Sequence, residues 1–89
     1  MPTTTVTIIN RLGLHARAAA KFVQTAAQFG SDVAISKGGK KVNGKSIMGV
    51  MMLAAAQHAE IEISTTGADA QAALDALTAL IADKFGEPS

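Results

Sequence analysis

Apolar and polar positions alternate over Thr5 to Ile9, where Val6 and Ile8 alternate with Thr5 and Thr7, the period of a half-buried strand. Asn10 to Leu14 then reads as a turn, with Gly13 available for an unusual dihedral. From about Ala16 to Gln28 the period changes. Ala19, Phe22, Val23, Ala26 and Phe29 recur at helical spacing, and Gly30 ends the run. Val33 and Ile35 mark a second strand, Gly38-Gly39 a tight hairpin turn, and Lys40 to Val42 a short third strand. Asn43-Gly44 is a further turn signal. Ser46 opens a short apolar helix through about Leu53, its hydroxyl suited to accept a bond from a free backbone N–H. Gln57 to Ala59 lead to a fourth strand, with Ile61 and Ile63 on one side and Glu60, Glu62 and Ser64 on the other. Gly67 closes it. A last helix spans about Asp69 to Lys84, capped by Asp69, with Ala70, Ala73, Leu74, Leu77 and Ile81 inward and Leu80 a further candidate for that face. Gly86 to Ser89 reads as a frayed tail.

The predicted order is β-α-β-β-α-β-α, an α+β fold in one domain over residues 1–89. The strands carry a polar face, so an antiparallel sheet with one wet side is expected, its other side covered by the helices. The 89 residues hold no Trp, no Tyr and three Phe, so the core must be aliphatic and Ala-rich. A deep enzyme cleft is hard to place in so small a chain. A surface site completed by a partner is easier.

Charge refines this picture. Residues 1–58 hold seven Lys or Arg and one acid, Asp32; residues 59–89 hold Lys84 and six acids. A basic half suits an acidic partner. Nucleic acid is one such partner, but the strands lack the aromatic residues that stack on bases. The absence of Cys rules out disulfides and Cys-based metal or redox sites. His58 and Glu60 form too weak a pair for a metal, and His58 is expected in an exposed linker. No secretory signal or membrane-length apolar run is seen, and a cytoplasmic location is expected.

Two segments carry chemistry. His15 stands just before a helix, whose first amides lack intrahelical partners and favour an anion. Arg17 adds a guanidinium suited to bidentate phosphate contact. Neutral imidazole is a nucleophile, so the pair suits phosphoryl acceptance. In the second segment, Asn43 to Met51, helical spacing cannot bury all of Ile47, Met48, Val50, Met51 and Met52 on one face. Some must lie exposed beside Ser46, and exposed Met makes an adaptable binding surface.

These segments, GLHARAAAKFV from Gly13 to Val23 and VNGKSIMGVMML from Val42 to Leu53, closely resemble the HPr family of bacterial phosphotransferase-system phosphocarriers, and the likeness extends over essentially the whole chain. The resemblance implies an open-faced β-sandwich, a four-stranded antiparallel sheet covered on one face by three helices. It implies a stoichiometric phosphoryl relay rather than an independent enzyme, needing no cofactor or metal and acting as a monomer. His15 would receive phosphate from Enzyme I and pass it to IIA components, with Arg17 as the active-site arginine. Ser46 would be the regulatory serine phosphorylated by HPr kinase/phosphorylase. Leu14, Ala20, Ile47, Met48 and Met51 would form the partner surface; neither nucleic acid nor membrane insertion is expected. The family usually has Pro after the active-site Arg, where this chain has Ala18. Ala is an excellent helix former, so the helix should still start in place. A nitrogen-related phosphotransferase paralogue, regulatory rather than sugar-transporting, is the alternative branch.

Overall fold

The computed structural model describes residues 2–89. Its elements are β1 (Thr3–Thr7), α1 (Ala16–Ala26), β2 (Asp32–Lys37), β3 (Lys40–Asn43), α2 (Ile47–Met52), β4 (Glu60–Thr66) and α3 (Ala70–Ala82), with a short 3-10 turn at Lys84–Gly86. The strands form one antiparallel sheet in the order β1-β4-β2-β3. Only β2 and β3 are joined as a hairpin. β4, late in the chain, fills the gap between β1 and β2, pairing Thr3 with Ser64 on one side and Ile35 with Ile63 on the other.

The sheet's inner face and the helices enclose an aliphatic core. Ile8, Ile35, Ile61 and Ile63 come from the sheet side; Ala18, Ala19, Phe22, Val50, Leu77 and Ile81 come from the helices. Each fully buried large side chain contributes roughly 1.5–3 kcal/mol. Ala at positions 18 and 19 lets α1 lie close to its neighbours, which is how a chain with few aromatic residues closes its core. The inward face expected of α3 is found: Ala70, Ala73, Leu74, Leu77 and Ile81 are all buried, and Leu80 is partly buried against the core. No helix among the described residues is long and apolar enough to cross a membrane.

Four expectations are corrected. β1 is shifted two residues toward the start of the chain, because Thr3 and Thr4 pair through their backbones despite polar side chains. Ile8 remains buried beyond the strand, its N–H bonded to Ala59 O at 2.9 Å. α1 stops at Ala26, and Gln28 and Phe29 complete tighter turns onto Thr25 and Ala26. Asp69 occupies the cap position of α3, but its side chain does not cap. Its carboxylate accepts instead from the N–H groups of Gly30 (3.0 Å) and Ser31 (2.9 Å) and from the Ser31 hydroxyl, tying the loop before β2 to the loop after β4.

The fourth correction is the end of the chain, which is not frayed. Phe85 is fully buried, and Lys21 Nζ donates to its carbonyl at 2.5 Å. Lys84 and Phe85 both have φ of +56°. Holding an L-residue left-handed costs about 1–2 kcal/mol, which burial of the Phe85 ring offsets. This turn sends Glu87 to Ser89 back across the start of α1, where Arg11 N–H donates to Ser89 O at 3.1 Å.

The Asp69 tie carries a pH signature. The Ser31 hydroxyl first, then the Gly30 amide, hold the Asp69 carboxyl below its ordinary value. A carboxyl depressed on folding adds stability above its unfolded value and loses it as pH falls through the folded one. Asp69→Asn is therefore expected to melt below the parent at pH 7, with the difference shrinking as both are acidified below about pH 4. Melting curves from pH 7 to pH 2.5 check this; a constant gap would show that the carboxylate charge is not what ties the two loops.

Candidate functional site

The site is built where the segment after β1 turns into α1. Gly13 makes this turn possible: its φ is +67°, and a Cβ there would lie 2.5 Å from Ala55 O and 2.9 Å from Ala56 Cα. The close approach lets Leu14 N–H donate to Ala55 O at 2.8 Å, which fixes the backbone one residue before His15. Asn10, fully buried, braces the turn from within, its Nδ2 donating to Gly13 O at 2.8 Å.

His15 is the N-cap residue of α1, with extended backbone and no capping bond from its side chain. Its carbonyl accepts the first helical bond, from Ala19 N–H at 2.8 Å. The N–H groups of Ala16, Arg17 and Ala18 thus have no acceptor within the helix. The imidazole is 28% exposed, enough for a partner to reach it. Arg17 is exposed and lines the same cleft of about 510 Å³ as His15, Arg11 and Glu87. Among the described residues Arg17 has no ion-pair partner, so its guanidinium is available to an incoming anion. Ala18 is buried at the third helical position, and α1 starts without the family's usual proline.

Glu87, which no sequence pattern singles out, completes the site. Its Oε2 is hydrogen-bonded to His15 Nε2, and its Oε1 accepts from Asn10 Nδ2 at 3.0 Å. Burial pushes the Glu87 carboxyl up, while bonds from His15 and Asn10 and the charges of His15 and Lys21 pull it down; the net direction is down. No sequence signal near Glu87 marks this role, because its partners lie at the opposite end of the chain.

The second segment forms the adjoining surface. Ser46 caps α2, its Oγ accepting from Gly49 N–H at 3.1 Å. Ile47, Met48, Met51 and Met52 are exposed, Met48 to 73%, in a protein whose other large apolar side chains are mostly buried. Lysines frame this patch: Lys37 and Lys40 reach the carbonyls of Leu53 and Met52 at the end of α2, and Lys45 bonds Phe29 O at 2.7 Å. Cations at a helix C-terminus satisfy its free carbonyls and oppose its dipole. Ala20 is half-buried on α1, and Leu14 lies in the core, 5% exposed, with little surface to offer a partner. His58 is exposed between α2 and β4, as expected, and no group of His, Asp or Glu among the described residues is arranged to hold a metal ion.

A cleft that joins an accessible imidazole, an unpaired guanidinium and free helix amides, on an open sheet backed by three helices, is chemically suited to receive an anion at the surface of a small α+β domain. The narrower assignment comes from comparison with known proteins. The family model described as "PTS HPr component phosphorylation site" matches residues 2–83. The phosphocarrier protein HPr of Neisseria meningitidis serogroup B is 60% identical over 82 residues, 92% of each chain. The phosphocarrier protein NPr of Shewanella violacea is 45% identical over 84 residues, 94% of this chain and 92% of that one. The crystal structure of HPr-C-His from Thermoanaerobacter tengcongensis superposes with a TM-score of 0.97 at 48% identity, each chain fully covered. An HPr dimer from the same organism gives a TM-score of 0.79 at 49% identity, covering 98% of this chain and all of that one. The chain belongs to the HPr family of phosphotransferase-system phosphocarriers.

Proposed function

We propose that this protein accepts a phosphoryl group on His15 from phosphorylated Enzyme I and passes it to IIA components, as a cytoplasmic monomer of one domain and without a cofactor. The observation that carries the reading is the shared cleft of His15 and Arg17 at the free amide end of α1. A ring nitrogen lone pair forms the N–P bond as the bond from phosphorus to the donor's leaving nitrogen breaks, and that nitrogen keeps the electron pair. The phosphoryl oxygens then meet N–H groups and a guanidinium already in place. Such preorganised donors lower the barrier without reorganisation at the moment of transfer. Because the same contacts hold the group loosely at the surface, it can leave again to an acceptor.

The exposed Ile47, Met48 and Met51, with Ala20 on the neighbouring helix, form the proposed docking patch; Leu14, buried in the core, offers it little surface. The framing lysines suit a partner that combines apolar and acidic surface. Incubation with Enzyme I and phosphoenolpyruvate, followed by intact mass measurement, tests the reading. One acid-labile phosphate per chain is expected, and none at all would overturn it.

Ser46 is the proposed regulatory site, a substrate for HPr kinase/phosphorylase. A phosphate there would add about −1.5 to −2 charges at a helix start with free amides, so the fold should tolerate it. The same charge would stand beside the docking patch and repel an acidic partner. Ser46→Asp is expected to slow transfer from Enzyme I by about threefold to tenfold, the scale of one unfavourable charge contact near 1 kcal/mol. Its melting temperature should stay within a few degrees of the parent. Transfer rates and melting curves on the same samples check this; a large loss of stability would place the effect in the fold instead. The nitrogen-related branch is the second reading, favoured only by Ala18 in place of proline. Against it, the HPr of N. meningitidis is the more similar of the two phosphocarriers above.

A further inference from the structure

We propose that Glu87, braced by Asn10, is a positioning residue for His15: its carboxylate holds the proton on Nε2 and leaves Nδ1 as the nitrogen with the free lone pair. The inference rests on His15 being the phosphoryl acceptor. A neutral imidazole donates from one nitrogen and accepts at the other, and an ionised carboxylate only accepts. The bond between Nε2 and Oε2 therefore fixes the tautomer.

The carboxylate is itself held in place. Asn10 Nδ2 bridges Glu87 Oε1 and Gly13 O, both acceptors, so the amide has one usable orientation: reversed, its oxygen would face two oxygens. Its Oδ1 is buried with no partner, so Asn10 serves here as a donor alone. On either side of Glu87 the tail is fastened, by the buried Phe85 with its Lys21 bond and by Ser89 O on Arg11 N–H. The Glu87 side chain is 11% exposed, so little water competes for its bonds. Its lowered proton affinity, described above, keeps it ionised at neutral pH.

The consequence for the transfer step is specific. As the N–P bond forms at Nδ1 and the donor's leaving atom departs with its electron pair, the proton stays on Nε2. The ring, now substituted at both nitrogens, gains positive charge beside the Glu87 carboxylate. A neutral-donor hydrogen bond becomes a charge-assisted one, roughly twice as strong. The contact thus strengthens along the reaction, which is the condition for it to speed the step.

The test uses phosphoramidate, a small N-phosphoryl donor that needs no docking surface, together with the ¹H–¹⁵N signature of the His15 ring. The parent should show an exchange-protected Nε2 proton. Glu87→Ala should lose that protection and be phosphorylated roughly tenfold more slowly, the worth of one hydrogen bond to a charged group. Glu87→Gln keeps one acceptor oxygen for Nε2 but turns an amide N–H toward Asn10 Nδ2, itself a donor, so it should retain a partly protected proton and fall between the parent and Glu87→Ala in rate. Wild-type rate and an unchanged proton signal in Glu87→Ala would overturn the proposal, as would a Glu87→Gln protein equal in rate to the parent. The ring signature is read without Enzyme I. A parent that takes phosphate from phosphoramidate but not from Enzyme I would therefore overturn the carrier reading while leaving the positioning result intact.

Discussion

His15→Ala is expected to abolish phosphate incorporation from Enzyme I while the protein still folds. The two halves of this result have separate causes. The imidazole is the proposed nucleophile, and the cleft's other side chains are poorer ones: a guanidinium serves as a hydrogen-bond donor, Glu87 is engaged with Asn10, and the Ser89 hydroxyl is a weak nucleophile unless a base activates it. The fold, by contrast, does not depend on the ring. The His15 side chain caps nothing, and its backbone is ordinary extended chain that Ala adopts freely. Its main side-chain partner is Glu87, and a partly exposed pair of this kind contributes about 0–1 kcal/mol. With the imidazole gone, Glu87 retains Asn10 or turns into solvent. Intact mass after incubation with Enzyme I and phosphoenolpyruvate, set beside a thermal melt, reads both halves. Phosphate at the parent level in the variant would move the acceptor elsewhere.

Gly13→Ala is expected to damage both stability and transfer, although the change is one methyl group. Ala at φ +67° carries a left-handed cost of about 1–2 kcal/mol. The added Cβ would also lie 2.5 Å from Ala55 O and 2.9 Å from Ala56 Cα, and both are backbone atoms that no rotamer change can clear. The turn must move away from the segment after α2, breaking the Leu14 to Ala55 bond and displacing Gly13 O from Asn10. A total loss of roughly 3 kcal/mol or more is expected, from strain plus two buried hydrogen bonds. For a domain this small, about 1 kcal/mol lowers the melting temperature by about 4–8 °C, so the shift is large. Transfer should also fall in molecules that remain folded, because His15 is carried on this turn. Urea denaturation and transfer rates at a temperature where the variant is folded separate the effects. A melting curve within a few degrees of the parent would show that the loop after α2 yields readily.

The parts of this architecture legible in the sequence are those that depend on periodic burial. The apolar faces of α1 and α3 and the alternation in β4 are set by side chains that must leave water, and the pattern records them directly. The His15, Arg17 and Ser46 placements were legible because a helix start has local markers. What the sequence concealed was decided over distance. Thr3 and Thr4 belong to β1 because β4 lies alongside, not because of their own polarity. Asp69 has the composition of a cap, yet Gly30 and Ser31, brought near by the fold, take its carboxylate. The tail from Gly86 looked frayed because it is short and polar, whereas polar contacts across the whole chain hold it. Leu14, counted among the surface residues by resemblance, is drawn inward by the Gly13 turn.

The strand order also governs when the chain can fold during synthesis. β4 sits between β1 and β2, so neither can complete its pairing until residues 60–66 have left the ribosome. Until then only the β2–β3 hairpin and nascent helix are available, and closing the long loop to β1 must come before its contacts stabilise anything. Such nonlocal pairing slows folding relative to helical bundles of equal size. In the interval Ile8, Phe22 and Ile35, all buried in the finished protein, remain without their eventual cover. The nascent chain therefore gains its stability late and nearly all at once, when β4 and then α3 emerge.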